Sequence, residues 1–198
     1  SGALQSIPLT LNVPIAVGLG PEGFLWVAGS MRGDEAIDLL TGRVETRRSD
    51  TLEYVGAFDV DYAPTWFERE TTTGRFFGAG LRGQEESALT VHEPDGRVLT
   101  RVPMPTGGIP HLAAAASGIV VAAGWEIAIL DADGRVVRRH EAPAVSDVAY
   151  DRKRDEVWMV SPTGRLLRVD VATLEQRDIA AHELVEAFGL PYTLRVFK

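Results

Sequence analysis

Asp59, His111 and Asp147 stand at the same place in successive copies of a sequence repeat, the strand start that Pro14 occupies in the first copy. Two carboxylates and an imidazole around one axis can ligate a divalent cation such as Ca2+ or Zn2+. A cation so held would polarise an ester or lactone carbonyl and lower the pKa of a bound water. If Asp59 or Asp147 were not a ligand, it could serve as general base. The same residues also have a structural use. Acids ahead of strands accept backbone N–H groups in turns, and a histidine there can cap a neighbouring strand. Both readings stand at this level, and no cofactor is firmly implied.

A second set of residues suits recognition rather than chemistry. Arg32 and Asp34 lie in GSMRGDE, Arg82 and Glu85 in GLRGQEES, and Trp125 in a short third loop. Charged and aromatic side chains on one loop face are what an interface uses. Trp66 and Phe67 lie in APTWFERETTTGR, which reads as an insertion in a polar hairpin and so as a second place for a partner. Arg32–Gly33–Asp34 matches an integrin-recognition tripeptide, a match too short to carry weight.

These residues are positioned by the repeat. LLTGRVETRRS, EPDGRVLTRVP and DADGRVVRRHE each read as two strands around a Thr-Gly or Asp-Gly turn, where glycine supplies the positive φ that a tight hairpin needs. Four copies align, over about 14–48, 58–105, 110–143 and 146–179. Each predicts four short strands, A to D. Strand B is predicted at Phe24–Ala28, Phe76–Ala79, Ile119–Ala123 and Val157–Val160, and strand C at Ala36–Leu40, Ala88–His92, Glu126–Leu130 and Leu166–Val171. A single such sheet cannot bury both faces, and copies stacked radially can. Trp26 and Trp158 fall mid-strand B at nearly equivalent positions and are expected between the sheets.

PEGFLWVA followed by IDLLTGRV resembles a blade of the NHL, YVTN and gluconolactonase-like β-propellers. The resemblance covers roughly Pro14 to Ile179, most of the chain, and implies an all-β propeller of four four-stranded blade modules in a single domain over 1–198. It also implies that ligands meet the D–A and B–C loops at one end of a central channel. In gluconolactonase-like propellers a metal sits there on acidic and amide side chains. Here Asn12 is the only asparagine, and the glutamate expected early in the first blade is missing. No Trp-Asp pair closes a strand C, so the WD40 pattern fits poorly. Evenly spaced strands would also build a sandwich or a smaller barrel, but the Ala-Gly pairs after strand B and the matching turns favour the propeller. Ile7–Val13 and Tyr192–Phe197 read as lone strands flanking the copies, and AAHELVEAFG at 180–189 has helical spacing. The two ends could form a partial fifth blade; the alternative is one arc of a larger ring, which would make an oligomer or larger assembly.

Composition sets the outer bounds. The chain has 198 residues, 45% hydrophobic and 24% charged, with a net charge of −8 and no cysteine. Disulfides and zinc-thiolate sites are therefore excluded. There is no sustained basic patch, so nucleic acid is not expected as a partner. No apolar run approaches a bilayer span, and the compartment stays open. No G-x-S-x-G elbow, phosphate-binding loop, H-E-x-x-H or EF-hand loop is present. The first expectation is therefore a non-catalytic propeller that binds a protein or polymer. The alternative is a metal-dependent lactonase- or esterase-like hydrolase, or a related lyase.

Overall fold

A computed structural model describes residues 8–9, 11, 13–20, 23–32, 37–83, 86–104 and 108–179. Among them run sixteen strands in four antiparallel four-stranded sheets, each built from consecutive strands. Sheet one holds β1 Val13–Leu19, β2 Phe24–Arg32, β3 Ile37–Arg48 and β4 Tyr54–Val60. Sheet two holds β5 Ala63–Arg69, β6 Phe76–Arg82, β7 Glu86–His92 and β8 Val98–Arg101. Sheet three holds β9 His111–Ala115, β10 Gly118–Ala123, β11 Glu126–Leu130 and β12 Val136–Glu141. Sheet four holds β13 Asp147–Asp151, β14 Glu156–Val160, β15 Leu166–Asp170 and β16 Gln176–Ile179.

The second strand of a sheet is covered on both faces, which explains its unbroken apolar sequence; all six residues of β10 are buried. The last strand lies at the outer edge, and all six residues of β12 are exposed. Apolar clusters fill the junctions between consecutive sheets. Trp26, Ala28 and Val44 meet Phe67 and Phe76 between sheets one and two. Phe77, Ala79, Leu89 and Val91 meet Leu112, Ile119 and Val121 between two and three. Val120, Ile127 and Ile129 meet Val157, Met159 and Val169 between three and four. First strands pack side by side in the order β1, β5, β9, β13. This is the blade arrangement of a β-propeller.

Two of the three hairpins behave as the sequence suggests. The Glu93 N–H donates to Arg97 O at 2.9 Å and the Asp131 N–H to Arg135 O at 3.0 Å, with Gly96 and Gly134 at φ of +90° and +81°. The first copy differs. Thr41–Gly42 makes no turn, because β3 runs unbroken through it from Ile37 to Arg48. A side chain at Gly42 would put its Cβ 2.3 Å from Pro64 Cδ and 2.5 Å from Tyr62 O, so this glycine lets sheet two approach. The hairpin after β3 instead closes at Thr51–Leu52–Glu53, as the one after β15 closes at Thr173–Leu174–Glu175. Leu52 and Leu174 both adopt φ of +60°.

The first sheet therefore repeats the fourth, with a lengthened β2–β3 hairpin. The Thr-Gly-Arg of 41–43 matches that of 163–165, where the turn lies between β14 and β15. Arg43 bonds Asp59 at 2.8 Å as Arg165 bonds Asp178 at 3.2 Å. Two corrections follow. Asp59 belongs to β4, the outer strand of sheet one, and not to the first strand of sheet two. The supposed insertion holding Trp66 and Phe67 is that first strand, β5, so neither residue is on a projecting loop. Of the lone strand expected over 7–13, residues 8, 9 and 11 are not in strand conformation, and Val13 opens β1. The helical segment at 180–189 and the strand at 192–197 lie outside the described residues.

Substitution at two glycines separates these roles. Gly42→Asn is expected to cost about 2–3 kcal/mol through overpacking. Gly164→Asn, at a turn φ of +80°, is expected to cost less than about 1 kcal/mol, since asparagine tolerates that region. Urea unfolding of the two variants checks this, and equal losses would contradict the strand assignment.

Candidate functional site

The connections that follow the second and the fourth strand of each sheet emerge at one end of the stack. Among the described residues singled out for binding, that end carries Arg32, Arg82 and Trp125. Arg82, the last residue of β6, reaches Asp61 at 3.3 Å and Glu86 at 3.9 Å. Arg101, the last residue of β8, bonds the same Asp61. Two arginines thus share one half-exposed carboxylate. Ser87 Oγ–H donates to Gly108 O, and a Cβ at Gly108 would lie 3.5 Å from Gly124 N. The arginine group is therefore linked by contact to the β10–β11 turn.

That turn has two residues, Gly124 and Trp125, between the paired Ala123 and Glu126. Gly124 adopts φ of +58°, as a tight hairpin of this length requires. The Trp125 carbonyl accepts the Ala142 N–H at 2.9 Å, which fixes the turn to the chain leaving β12. Trp125 is 74% exposed. Arg32 ends β2 in the lengthened hairpin of sheet one, while Asp34 and Glu85 lie outside the described residues.

Trp66 and Phe67 are interior residues. Phe67 is buried in the first junction, edge-on to Trp26 at 5.8 Å. Trp66 is half-buried against the second junction. Their alternation along β5 sends them to opposite faces, so they cannot form one docking surface.

The structure does not bring the three candidate metal ligands together. Asp59 is exposed and paired with Arg43. His111 opens β9 with its ring edge-on to Trp66 at 5.5 Å. Its Nδ1 is buried without a hydrogen-bond partner, and burial lowers its pKa. Asp147 opens β13 and is buried, with Oδ1 accepting the Val148 N–H at 2.9 Å. Among the described residues no three His, Asp or Glu side chains converge closely enough to hold a metal ion.

Two polar features were not anticipated. The Thr90 hydroxyl lies 2.9 Å from the Tyr62 hydroxyl and 2.7 Å from His92 Nε2. His92 Nδ1–H donates to Gly96 O at 3.1 Å, leaving Nε2 as acceptor. Burial lowers the His92 pKa and raises that of Tyr62, so both stay neutral and pin the β7–β8 turn to the first junction. The second feature is Glu68 on β5. Burial pushes its carboxyl up to about 7, against the opposing hydrogen bond from Trp66 Nε1–H at 3.4 Å. No motif marks either feature in the sequence, since their members meet only through the sheet register.

No family model matches the chain, and no curated protein matches it. Among solved structures it is similar to the WD40 domain of Pan2 from Neurospora crassa, at 14% identity and a TM-score of 0.59, covering 83% of this chain and 49% of that one. It is also similar to the Dos1 propeller, at 10% identity and a TM-score of 0.62, covering 82% of this chain and 46% of that one. These likenesses establish a β-propeller fold. The chain spans about half the length of the propeller chains it matches. Among the described residues no helix is long and apolar enough to cross a membrane.

Glu68 gives a pH signature. Its folded pKa of about 7 lies above the ordinary 4.5. Below the ordinary value the acid is neutral in both states, and stability is fully present. As pH rises to about 7 the unfolded chain ionises first, so stability falls and then levels off. Glu68→Gln is expected to raise Tm at about pH 8 and leave it unchanged at about pH 4. An equal shift at both pH values would contradict a part-buried, reluctant carboxyl.

Proposed function

We propose that the chain is a non-catalytic propeller module that binds a protein or polymer through the end carrying Arg82, Arg101 and Trp125. The observation that carries this reading is the 74% exposed Trp125 indole on a two-residue turn. A tryptophan held so loses little conformational freedom on binding and offers a large apolar face with one N–H donor. The neighbouring arginines, sharing Asp61, supply charge that a partner carboxylate or phosphate could engage. Arg32, Asp34 and Glu85 extend the same surface on sequence grounds. Trp66 and Phe67 are left out, because both are committed to the junctions.

The metal-dependent hydrolase reading, with its gluconolactonase-like resemblance, draws less support. Asp59 is engaged by Arg43, and His111 turns its buried Nδ1 toward the protein interior. Fold alone does not decide between these readings, because propellers differ in what their loops carry.

The test is capture from the source organism's extract with covalent cross-linking, comparing the unmodified chain with Trp125→Ala/Arg82→Ala. A defined partner is expected on the unmodified chain and lost, at least tenfold, on the variant, with unchanged circular dichroism and Tm. A partner retained equally by both would overturn the reading.

A further inference from the structure

The junction between sheets two and three leaves a small cleft. Its walls are Val102 and Met104, in the chain leaving β8, and Ala128, Leu130 and Val136 of sheet three. Val102, Ala128 and Leu130 are buried, whereas Val136 is 45% exposed, so the cleft has an apolar floor and a side open to solvent. Of the residues lining it, Glu126 alone is charged. Glu126 directly follows Trp125, which puts the mouth of the cleft at the loop end.

A second carboxylate shares this face. Ile119 and Val121 of β10 point toward sheet two, and alternation sends Ala123 the same way. Glu126 lies directly across from Ala123, and Glu141 of β12 directly across from Glu126. Residues so paired project to one side. Glu126 is half-buried and Glu141 exposed. Among the described residues neither carboxylate forms an ion pair or a side-chain hydrogen bond, and Arg139, one pair further along, reaches neither. Like charges directly opposite in an antiparallel pair repel, so a cation between them is favoured. A small ion would make no use of the apolar walls. A cation on an aliphatic stem would use both, because such stems lie along apolar surface while the head stays at the mouth. Glu126 and Ala128 are successive residues on one face, about 6.7 Å apart, of the order of a lysine or arginine stem. The exposed Trp125 beside them offers a ring face to the same cation.

We infer that this cleft takes a lysine or arginine side chain of a partner polypeptide, with the stem against Val102, Met104 and Ala128 and the cation between Glu126 and Glu141. The inference rests on the loop end being the binding face, and it adds the sign of the partner: basic where it meets Trp125. The arginines on Asp61 remain for an acidic group elsewhere on the same segment. The net charge of −8 favours the approach of a basic segment.

The test selects peptides from a random decapeptide phage library on the whole chain and measures synthetic copies by fluorescence anisotropy. Enriched peptides are expected to share one lysine or arginine, and norleucine in its place, a similar stem without the cation, should weaken binding about tenfold or more. Glu126→Gln/Glu141→Gln should weaken the same peptide about as much, with a Tm no lower than that of the unmodified chain, since the substitution removes a repulsion. Trp125→Ala/Arg82→Ala tests the loop-end reading separately. Peptides that need Trp125 and Arg82, but need no basic residue and bind Glu126→Gln/Glu141→Gln equally well, would overturn the inference and leave that reading standing. Peptides indifferent to both variants, or no enrichment at all, would overturn both. Dimerisation of the unmodified chain that is lost on Glu126→Gln/Glu141→Gln would seat a second copy in the cleft and overturn the inference too.

Discussion

Everything in this molecule depends on covering both faces of a small twisted sheet. Each four-stranded unit is apolar on two sides and has too little interior of its own to be stable. The units therefore stack, and the face of one becomes the core of the next. Trp26 across from Phe67, Phe77 across from Leu112 and Val157 across from Val120 are three instances of the same solution. The constraint also sets where glycine must stand. Gly42 is needed because the backbone of sheet two comes within van der Waals reach of the third strand of sheet one.

The stacking separates structural from recognition residues. Interior polar groups, such as Tyr62, Thr90 and His92, satisfy one another and fix a turn. Groups at the strand ends remain accessible and are held by short, well-bonded turns. The Gly124–Trp125 turn is the clearest case. Its backbone is fixed at both sides, while its indole is left to solvent. A rigid scaffold that presents connecting segments at one end can change its partner without changing its core.

Much of this was legible in the sequence. The second strands of all four copies were identifiable from their apolar runs, and the Asp-Gly turns at 95–96 and 133–134 from glycine chemistry. The first copy is deceptive, because a Thr-Gly pair between apolar runs looks like a turn. Only the approach of Pro64 and Tyr62 shows that this glycine serves packing instead. The shift then misplaced Asp59 and turned β5 into an apparent loop. The repeated Thr-Leu-Glu at 51–53 and 173–175 was the available signal for the true hairpin. For the candidate site, the exposed Trp125 and the arginine at the end of β6 were recognisable from loop composition. The Arg101–Asp61 contact and the elevated Glu68 were not, because they arise from strand register and burial.

Consecutive sheets are blades coupled through their faces. A double-mutant cycle on Trp26→Leu and Phe67→Leu measures that coupling directly, across the first junction. The edge-on pair should show an interaction energy of about 0.5–1.5 kcal/mol in urea unfolding. Additive effects of the two substitutions would contradict the stacked-blade account.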